Sequence, residues 1–288
     1  MSPEGQTGSV APPSGSSMRD LAPRLLSAIV MIALALGTLW AGGFWFVAFW
    51  YAAGVAILWE WQRMVGGAHW KWRLFTGVLA LTLATERLLI GALDAAMLVV
   101  LIGCLVEAIV AGQGKRLWNL AGLAYAACLV LSVGLLRLSL FYGWQSIVWL
   151  FAVVWTTDIM AYFGGRLIGG PKLWPRVSPK KTWAGFLTGV ICAGIVGTAV
   201  AGLAIGMEAV RPAVLVLGLV TAAISQGGDL FESSLKRIFD VKDSSNLIPG
   251  HGGVMDRLDG FLAAATFAVV IGVINGGVTS VGNGLFRW

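Results

Sequence analysis

The sequence predicts an all-α, polytopic integral membrane protein with about nine transmembrane helices. Of its 288 residues, 58% are hydrophobic and only 12% are charged, whereas a soluble domain carries about 25% charged residues. So few charges cannot cover a water-facing surface, which excludes a soluble globule. Apolar runs close to the roughly 20 residues that cross a bilayer recur along the chain.

The elements follow in order from the amino terminus. Residues 1–18 are rich in Ser, Gly and Pro, which predicts a disordered tail. We interpret the first apolar run as a retained span rather than a signal peptide, because more apolar sequence follows it almost at once. The third run is weakened by Glu86 and Arg87 near its end. The candidate spans are residues 25–41, 44–60, 74–92, 93–111, 118–136, 144–163, 183–205, 212–231 and 261–281.

The distribution of basic residues tests this arrangement. If nine spans alternate and the N-terminus is cytoplasmic, 16 of the 20 Lys and Arg residues lie on the cytoplasmic side. The positive-inside rule therefore supports this orientation, and in a bacterial host the membrane would be the inner membrane. The same asymmetry explains the net charge of +6 without a nucleic-acid partner.

Polar residues gather in two of the cytoplasmic loops. The first loop follows the sixth span, where Asp158 and Arg166 lie, and it ends with Ser178, Lys180, Lys181 and Thr182 directly before the seventh span. Because a helix N-terminus attracts anions, this arrangement favours phosphate binding. A loop that is basic only through the positive-inside rule is the alternative.

The second loop joins the eighth and ninth spans and is rich in acidic residues. Its acids are Asp229, Glu232, Asp240, Asp243, Asp256 and Asp259. Helical spacing places Asp229, Glu232 and Lys236 on one face, so the eighth span is predicted to continue as a helix past the membrane surface. Asp256 and Asp259 share a face at the start of the ninth span. Ionisable residues at a membrane boundary are costly enough to indicate function.

These acids, beside glycine turns and basic residues, fit a magnesium–phosphate site, because Mg²⁺ is usually held by one or two carboxylates together with water and phosphates. A structural salt-bridge cluster and an ion-translocation path are the alternatives. Phosphate-binding candidates are Lys236, Arg237, Lys242 and Arg257, which could instead anchor lipid headgroups. His69, Lys71 and Arg73 are interpreted as interfacial anchors, and Glu60 and Glu107 as span-end residues that face water or a neighbouring helix.

The second loop resembles the signature of the phosphatidate cytidylyltransferases, also called CDP-diacylglycerol synthases. The matching residues are Ser233, Leu235, Lys236, Arg237, Lys242, Asp243, Ser245, Leu247, Pro249, His251, Gly252, Gly253, Val254, Asp256, Arg257, Leu258 and Asp259. Gly228-Asp229-Leu230 and parts of the first loop, namely Asp158, Ala161, Tyr162, Gly165, Arg166 and residues 178–182, also resemble the family. These motifs lie within residues 156–260, which is 105 of the 288 residues.

The resemblance implies that CTP and phosphatidate, which arrives from the cytoplasmic leaflet of the membrane lipid, give CDP-diacylglycerol and pyrophosphate. It also implies a divalent metal, for which we expect Mg²⁺ on Asp229 and Asp256; a second cation is left open. The two loops would then be cytoplasmic active-site loops. Residues 156–288 would form a catalytic transmembrane region, preceded by N-terminal transmembrane helices in residues 19–155.

Roles for individual residues follow from this interpretation. The predicted catalytic residues are Asp229, Asp256, Lys236 and Arg257. The predicted substrate-binding residues are Asp158, Arg166, Ser178, Lys180, Lys181, Thr182, Ser233, Arg237, Lys242, Asp243, His251, Gly252, Gly253 and Asp259. Asp158 could bind metal, contact the nucleotide or pair with Arg166. Asp259 could join the metal or orient Arg257, and His251 could contact a phosphate or base or be structural.

Two positions depart from the family pattern. Ala184 stands where the family often has Glu, and Gly260 stands where it often has Ser. Neither removes a predicted metal ligand. Other lipid acceptors remain open, as does a cation-coupled transporter that uses Asp158, Asp229 and Asp256. The sequence also leaves the oligomeric state undecided, with a homodimer among the alternatives.

Overall fold

The computed structural model describes residues 18–67, 69–112 and 114–287. The predicted disordered tail therefore lies outside the described residues except for Met18, at which the first helix begins. The long helices are α1 (Met18–Ala41), α2 (Gly43–Val65), α3 (Trp70–Leu89), α4 (Leu93–Val110), α5 (Arg116–Leu138), α6 (Gly143–Leu167), α7 (Trp183–Ile205), α8 (Pro212–Ile238) and α9 (Met255–Gly276). A short helix, α10 (Val281–Phe286), follows α9.

The helices confirm an all-α polytopic membrane protein. Within the described ranges, seven of them are long and apolar enough to cross a bilayer, namely α2 and α4 to α9. In α1 only Leu25–Ala41 forms an apolar stretch, which is shorter than a full span. Helix α3 falls outside the seven and contains the Glu86 and Arg87 noted in the sequence. The predicted number of nine spans is therefore not confirmed.

A small β-hairpin interrupts the helices in the first polar loop. Strand β1 (Lys172–Trp174) pairs antiparallel with β2 (Ser178–Thr182), with Lys172 opposite Thr182 and Trp174 opposite Ser178. Gly169 and Gly170 both have positive φ, which lets the chain turn sharply out of α6 into the hairpin. The hairpin delivers Lys181 and Thr182 to the start of α7.

Small residues allow α6 and α7 to pack closely. Gly185, Gly189, Ala193 and Gly197 recur every four residues on α7 and are all buried. A Cβ atom on Gly185 would lie 2.6 Å from the Ala161 carbonyl oxygen of α6. Membrane helices associate through such close packing, since lipid supplies little hydrophobic force between them. This contact sets the position of Asp158 relative to the start of α7.

Aromatic stacking joins the N-terminal helices to the C-terminal ones. The Trp50 ring of α2 is stacked on Phe261 of α9 with 4.9 Å between ring centroids, and on Phe151 of α6 at 6.2 Å. All three side chains are buried. Helix α2 is therefore packed directly against two of the helices that carry the polar motifs.

A buried polar network links α2, α3 and α4. Arg73 Nε donates to Gln62 Oε1 at 3.0 Å, and Gln62 Nε2 donates to Glu107 Oε2 at 2.6 Å. Arg73 also donates to the Gly66 carbonyl oxygen. Arg73 is 1% exposed, so its prediction as an interfacial anchor is wrong. Its charge is satisfied inside the bundle instead of at the lipid surface.

Candidate active site

A polar cavity of about 760 Å³ lies where α6, β2, α7, α8 and α9 meet. Eleven of the eighteen predicted site residues line it: Asp158, Arg166, Lys180, Lys181, Thr182, Asp229, Lys236, Asp243, Asp256, Arg257 and Asp259. The other seven, Ser178, Ser233, Arg237, Lys242, His251, Gly252 and Gly253, do not. The fold therefore brings both polar loops into one site.

The helical periodicity of α8 and α9 positions the acidic side chains. Asp229, Glu232 and Lys236 are spaced along one face of α8, which confirms that this helix continues beyond residue 231 with a polar edge. Asp256 and Asp259 lie in the first turns of α9 and face the same cavity. Two separate helices therefore place carboxylates opposite one another.

Three aspartates, Asp158, Asp229 and Asp259, form what we call the aspartate trio, and their charges interact electrostatically. Asp229 Oδ2 forms an ion pair with Lys181 Nζ at 2.7 Å. Asp259 Oδ1 accepts a hydrogen bond from the Gly260 backbone N–H. The trio therefore places three carboxylates near one another, and few protein donors compensate their negative charge.

Asp158 is the least satisfied member of the trio. It is exposed to the cavity, and within the described residues its carboxylate has no hydrogen bond or ion pair. The alternative pairing with Arg166 is not observed, because Arg166 Nη1 donates to the Tyr162 hydroxyl at 2.7 Å. A carboxylate left in this state can accept a ligand.

A second group, the Lys236 cluster, comprises Glu232, Lys236 and Asp256. Lys236 Nζ lies 2.8 Å from Glu232 Oε2 and 2.7 Å from Asp256 Oδ1. The Glu232 and Asp256 side chains are only 1% and 5% exposed. Asp256 Oδ2 also accepts from the backbone N–H groups of Ser244 at 3.0 Å and Gly253 at 2.7 Å. In contrast to Asp158, Asp256 is almost saturated by protein donors.

The carboxylates fit a magnesium ion by their chemistry. Within the described ranges, no three His, Cys, Asp or Glu side chains are grouped closely enough to hold a metal by themselves. Mg²⁺ does not require such a group, since one or two carboxylates with water and substrate phosphates complete its shell. The aspartate trio meets this requirement, because its carboxylates lie near one another and that of Asp158 accepts no hydrogen bond from the described residues.

Arg257 is oriented by a backbone group rather than by Asp259. Its Nε and Nη2 atoms donate to the His251 carbonyl oxygen at 3.0 and 2.8 Å. The His251 ring Nδ1 is hydrogen-bonded with the Ser27 hydroxyl of α1 at 2.6 Å. The alternative in which Asp259 orients Arg257 is therefore not observed.

Several predicted binding residues have structural explanations. Thr182 caps α7, because its hydroxyl accepts a hydrogen bond from the Gly185 N–H. A Cβ atom on Gly253 would collide with the Ser244 hydroxyl and the Glu60 carboxylate. A Cβ atom on Gly252, which has positive φ, would lie 2.8 Å from Asp256 Oδ2. Ser233 donates weakly to Asp229, at 3.3 Å.

An apolar cavity of about 510 Å³ adjoins the polar one and lies between α1, α2, α6 and α9. Its walls include Met31, Phe49 and Trp155, and His251 also lines it. Asp158 and Arg257 line both cavities. A polar compartment and an apolar compartment therefore meet at one carboxylate and one guanidinium.

Sequence reasoning missed two acidic residues of this region. Glu232 lines the polar cavity and is buried, although it is not among the predicted site residues. Glu60 is completely buried beside the start of α9, so it faces a neighbouring helix, one of its two predicted alternatives, but its contacts there were not predicted. Both lie at the ends of apolar runs. This position indicates that an acidic residue has a role, but it does not identify the residue that the acid contacts.

Comparisons with known proteins assign this chain to a family. Residues 22–274 match the model of the cytidylyltransferase family, and the chain belongs to that family. A phosphatidate cytidylyltransferase from Brucella abortus biovar 1 (strain 9-941) is 42% identical over 265 residues, which cover 89% of this chain and 95% of the relative. One from Bacillus subtilis (strain 168) is 43% identical over 126 residues, covering 44% of this chain and 46% of the relative. The prediction of a nucleotidyltransferase is confirmed.

Proposed function

We propose that this protein transfers the cytidylyl group of CTP to phosphatidate, giving CDP-diacylglycerol and pyrophosphate. The observation that carries the proposal is the junction of the two cavities at Asp158 and Arg257. A charged, water-soluble nucleotide and a lipid need separate compartments that meet at the reacting phosphates. The family membership and the named relatives support the same reaction.

The polar cavity supplies the groups that a triphosphate needs. Lys180 and Lys181 reach it from β2, Arg166 from α6 and Arg257 from α9. The N-terminus of α7, capped by Thr182, faces the same space and favours an anion. We propose that these groups bind the CTP phosphates and hold them in one orientation.

We propose Asp229 and Asp256 as the carboxylates that hold Mg²⁺, with Asp158 and Asp259 close by. When bound, Mg²⁺ neutralises phosphate charge and orients the triphosphate. Asp229 is the more available of the two, because its side chain is 40% exposed while that of Asp256 is 5% exposed.

The reaction needs positioning more than covalent chemistry from the protein. A phosphate oxygen of phosphatidate forms a bond to the α-phosphorus of CTP, and the bond from that phosphorus to the bridging oxygen of pyrophosphate breaks. Arg257 lines both cavities and so can hold the lipid phosphate in line. Lys181 and Lys236 place positive charge near the phosphate oxygens, where negative charge develops.

The apolar cavity fits the lipid part of the substrate. Three of the four helices around it, α2, α6 and α9, are long and apolar enough to cross a bilayer. We propose that phosphatidate enters it sideways from the cytoplasmic leaflet, while CTP enters the polar cavity from water. In this arrangement the N-terminus and the site face the cytoplasm, and a bacterial protein would reside in the inner membrane.

Pyrophosphate release by the purified protein tests the proposal. We expect release only when CTP, phosphatidate and Mg²⁺ are all present, and loss of release with EDTA or in Asp256→Asn. Asp94→Asn, an exposed aspartate in the first turn of α4, is the matched control and should keep wild-type release. Release with another lipid phosphate but not with phosphatidate would contradict the assigned acceptor.

A further inference from the structure

A carboxylate from the N-terminal half of the chain lies at the start of α9. Glu60 Oε1 accepts hydrogen bonds from the Val254 N–H at 2.8 Å and from the Ser245 hydroxyl at 2.6 Å. Glu60 Oε2 accepts from the Met255 N–H at 2.7 Å. We propose that Glu60 is a positioning residue that holds the start of α9, and with it Asp256, in the geometry needed for turnover.

Glu60 replaces a cap that α9 lacks locally. Val254, the residue that precedes α9, makes no side-chain capping bond. The first N–H groups of a helix have no partner inside the helix. The helix dipole is also positive at this end, so a negative charge is favourable there. Glu60 satisfies two of these N–H groups from a residue that is 194 positions away from Val254.

The contacts continue from Glu60 to Asp256 through Ser244. The Ser244 hydroxyl lies 3.2 Å from Glu60 Oε2 and 2.9 Å from Asp256 Oδ2. This hydroxyl has one hydrogen, so it donates to one of the two carboxylates at a time. Since it lies within hydrogen-bond distance of both, it connects Glu60 with Asp256. The Ser244 backbone N–H also donates to Asp256. A change at Glu60 is therefore transmitted to Asp256 both through α9 and through the loop before it.

Because Glu60 is buried, its carboxylate depends on the hydrogen-bond donors around it. Its side chain is 0% exposed, and it has no ion-pair partner within the described residues. A buried charge is tolerated only when hydrogen bonds compensate for lost water, and both oxygens of Glu60 accept from a backbone N–H. In Glu60→Gln an amide NH₂ would have to face one of these N–H donors, although the size of the side chain is unchanged.

Glu107 provides the contrast within the same bundle. It is also 0% exposed, but its carboxylate accepts a hydrogen bond from Gln62 and interacts electrostatically with Arg73, which lie on α2 and α3 and not on α9. A glutamine at 107 can rotate so that its carbonyl oxygen accepts from Gln62. Glu107→Gln is therefore a matched control, since it removes a buried carboxylate without touching the start of α9.

The test measures two properties of Glu60→Gln and Glu107→Gln. The first is hydrogen exchange of the peptide that contains residues 244–256, followed by mass spectrometry in detergent. The second is steady-state pyrophosphate release, separated into kcat and the KM for CTP. We expect faster exchange of this peptide and a kcat loss of about 10- to 100-fold in Glu60→Gln. The KM for CTP should change far less, since Glu60 does not line the polar cavity.

Ser245→Ala serves as a graded variant. It removes one donor to Glu60 and leaves both backbone contacts, so its exchange and kcat should fall between those of wild type and Glu60→Gln. Glu107→Gln should match wild type in both measurements.

Two outcomes would overturn the proposal. One is wild-type exchange and wild-type kcat in Glu60→Gln. The other is faster exchange along the whole chain with a matching fall in melting temperature, which would mean that Glu60 only stabilises the fold. The kinetic part rests on the proposed function, but the exchange part does not. A wild-type protein without pyrophosphate release would contradict the reaction and leave the exchange measurement to decide on Glu60.

Discussion

The two acidic groups of the polar cavity differ in how their charges are satisfied. In the Lys236 cluster, Lys236 contacts both Glu232 and Asp256, and Asp256 accepts further bonds from backbone N–H groups. In the aspartate trio, Asp229 is the member that forms an ion pair with Lys181, which also donates to the Gln226 carbonyl oxygen. Asp158 accepts from no described residue. Charges satisfied internally hold the site together, whereas less satisfied charges are more available to a metal or a substrate. Asp256 belongs to the first kind, so it would exchange a protein contact for the proposed Mg²⁺.

This comparison predicts opposite consequences for activity and stability. Asp229→Asn should lower kcat on the order of 10²- to 10⁴-fold, because a metal ligand contributes several kcal/mol to charge stabilisation in the transition state. The melting temperature should stay close to that of wild type, since the lost ion pair with Lys181 is partly exposed and the change relieves repulsion within the trio. Pyrophosphate release and thermal unfolding measure the two effects.

The effect of Mg²⁺ on the melting temperature tests separately whether Asp229 is a metal ligand. A bound ligand raises stability by an amount that grows with its concentration over its Kd, about 2.7 kcal/mol at 100 times Kd. Mg²⁺ should therefore raise the melting temperature of wild type and of the Asp94→Asn control more than that of Asp229→Asn. An equal shift in all three proteins would remove Asp229 from the metal assignment.

The Lys236 cluster should respond mainly in stability. Lys236→Met leaves two buried carboxylates without their shared cation, and breaking such a pair costs about 3 kcal/mol or more. We expect a clearly lower melting temperature in addition to reduced turnover. Lys180→Met is the control, because Lys180 is exposed and forms no ion pair with the described residues. Equal melting temperatures for the two variants would contradict the structural role of Lys236.

The smallest effects are expected outside the cavity. Lys242 resembles a family motif residue, but it is exposed and does not line the polar cavity. Lys242→Ala should change stability by less than about 0.5 kcal/mol, as is usual for surface positions. Its KM for CTP should also stay close to wild type, whereas Lys181→Ala should raise it. A raised KM in Lys242→Ala would place the nucleotide beyond the cavity walls.

Much of the site could be predicted because helical periodicity is local. The spacing of Asp229, Glu232 and Lys236 places them on one face of α8 whatever the rest of the fold does. Thr182 before an apolar run likewise indicates a helix start, and it caps α7. The close packing of Gly164 against Thr188 of α7 could not be predicted in this way, because it depends on which helix lies next to α6.

The sequence by itself determined the membrane class, because charged residues too few to cover a soluble surface can be counted without knowing any contact. It also determined the polar edges of α8 and α9, through the helical repeat. Only the tertiary structure decided that Glu60 holds α9, that Arg73 is buried, and that two cavities meet at Asp158 and Arg257. These features depend on contacts between side chains that are distant in sequence. The periodicity of one helix shows which of its residues share a face, but not which residues of another helix pack against that face.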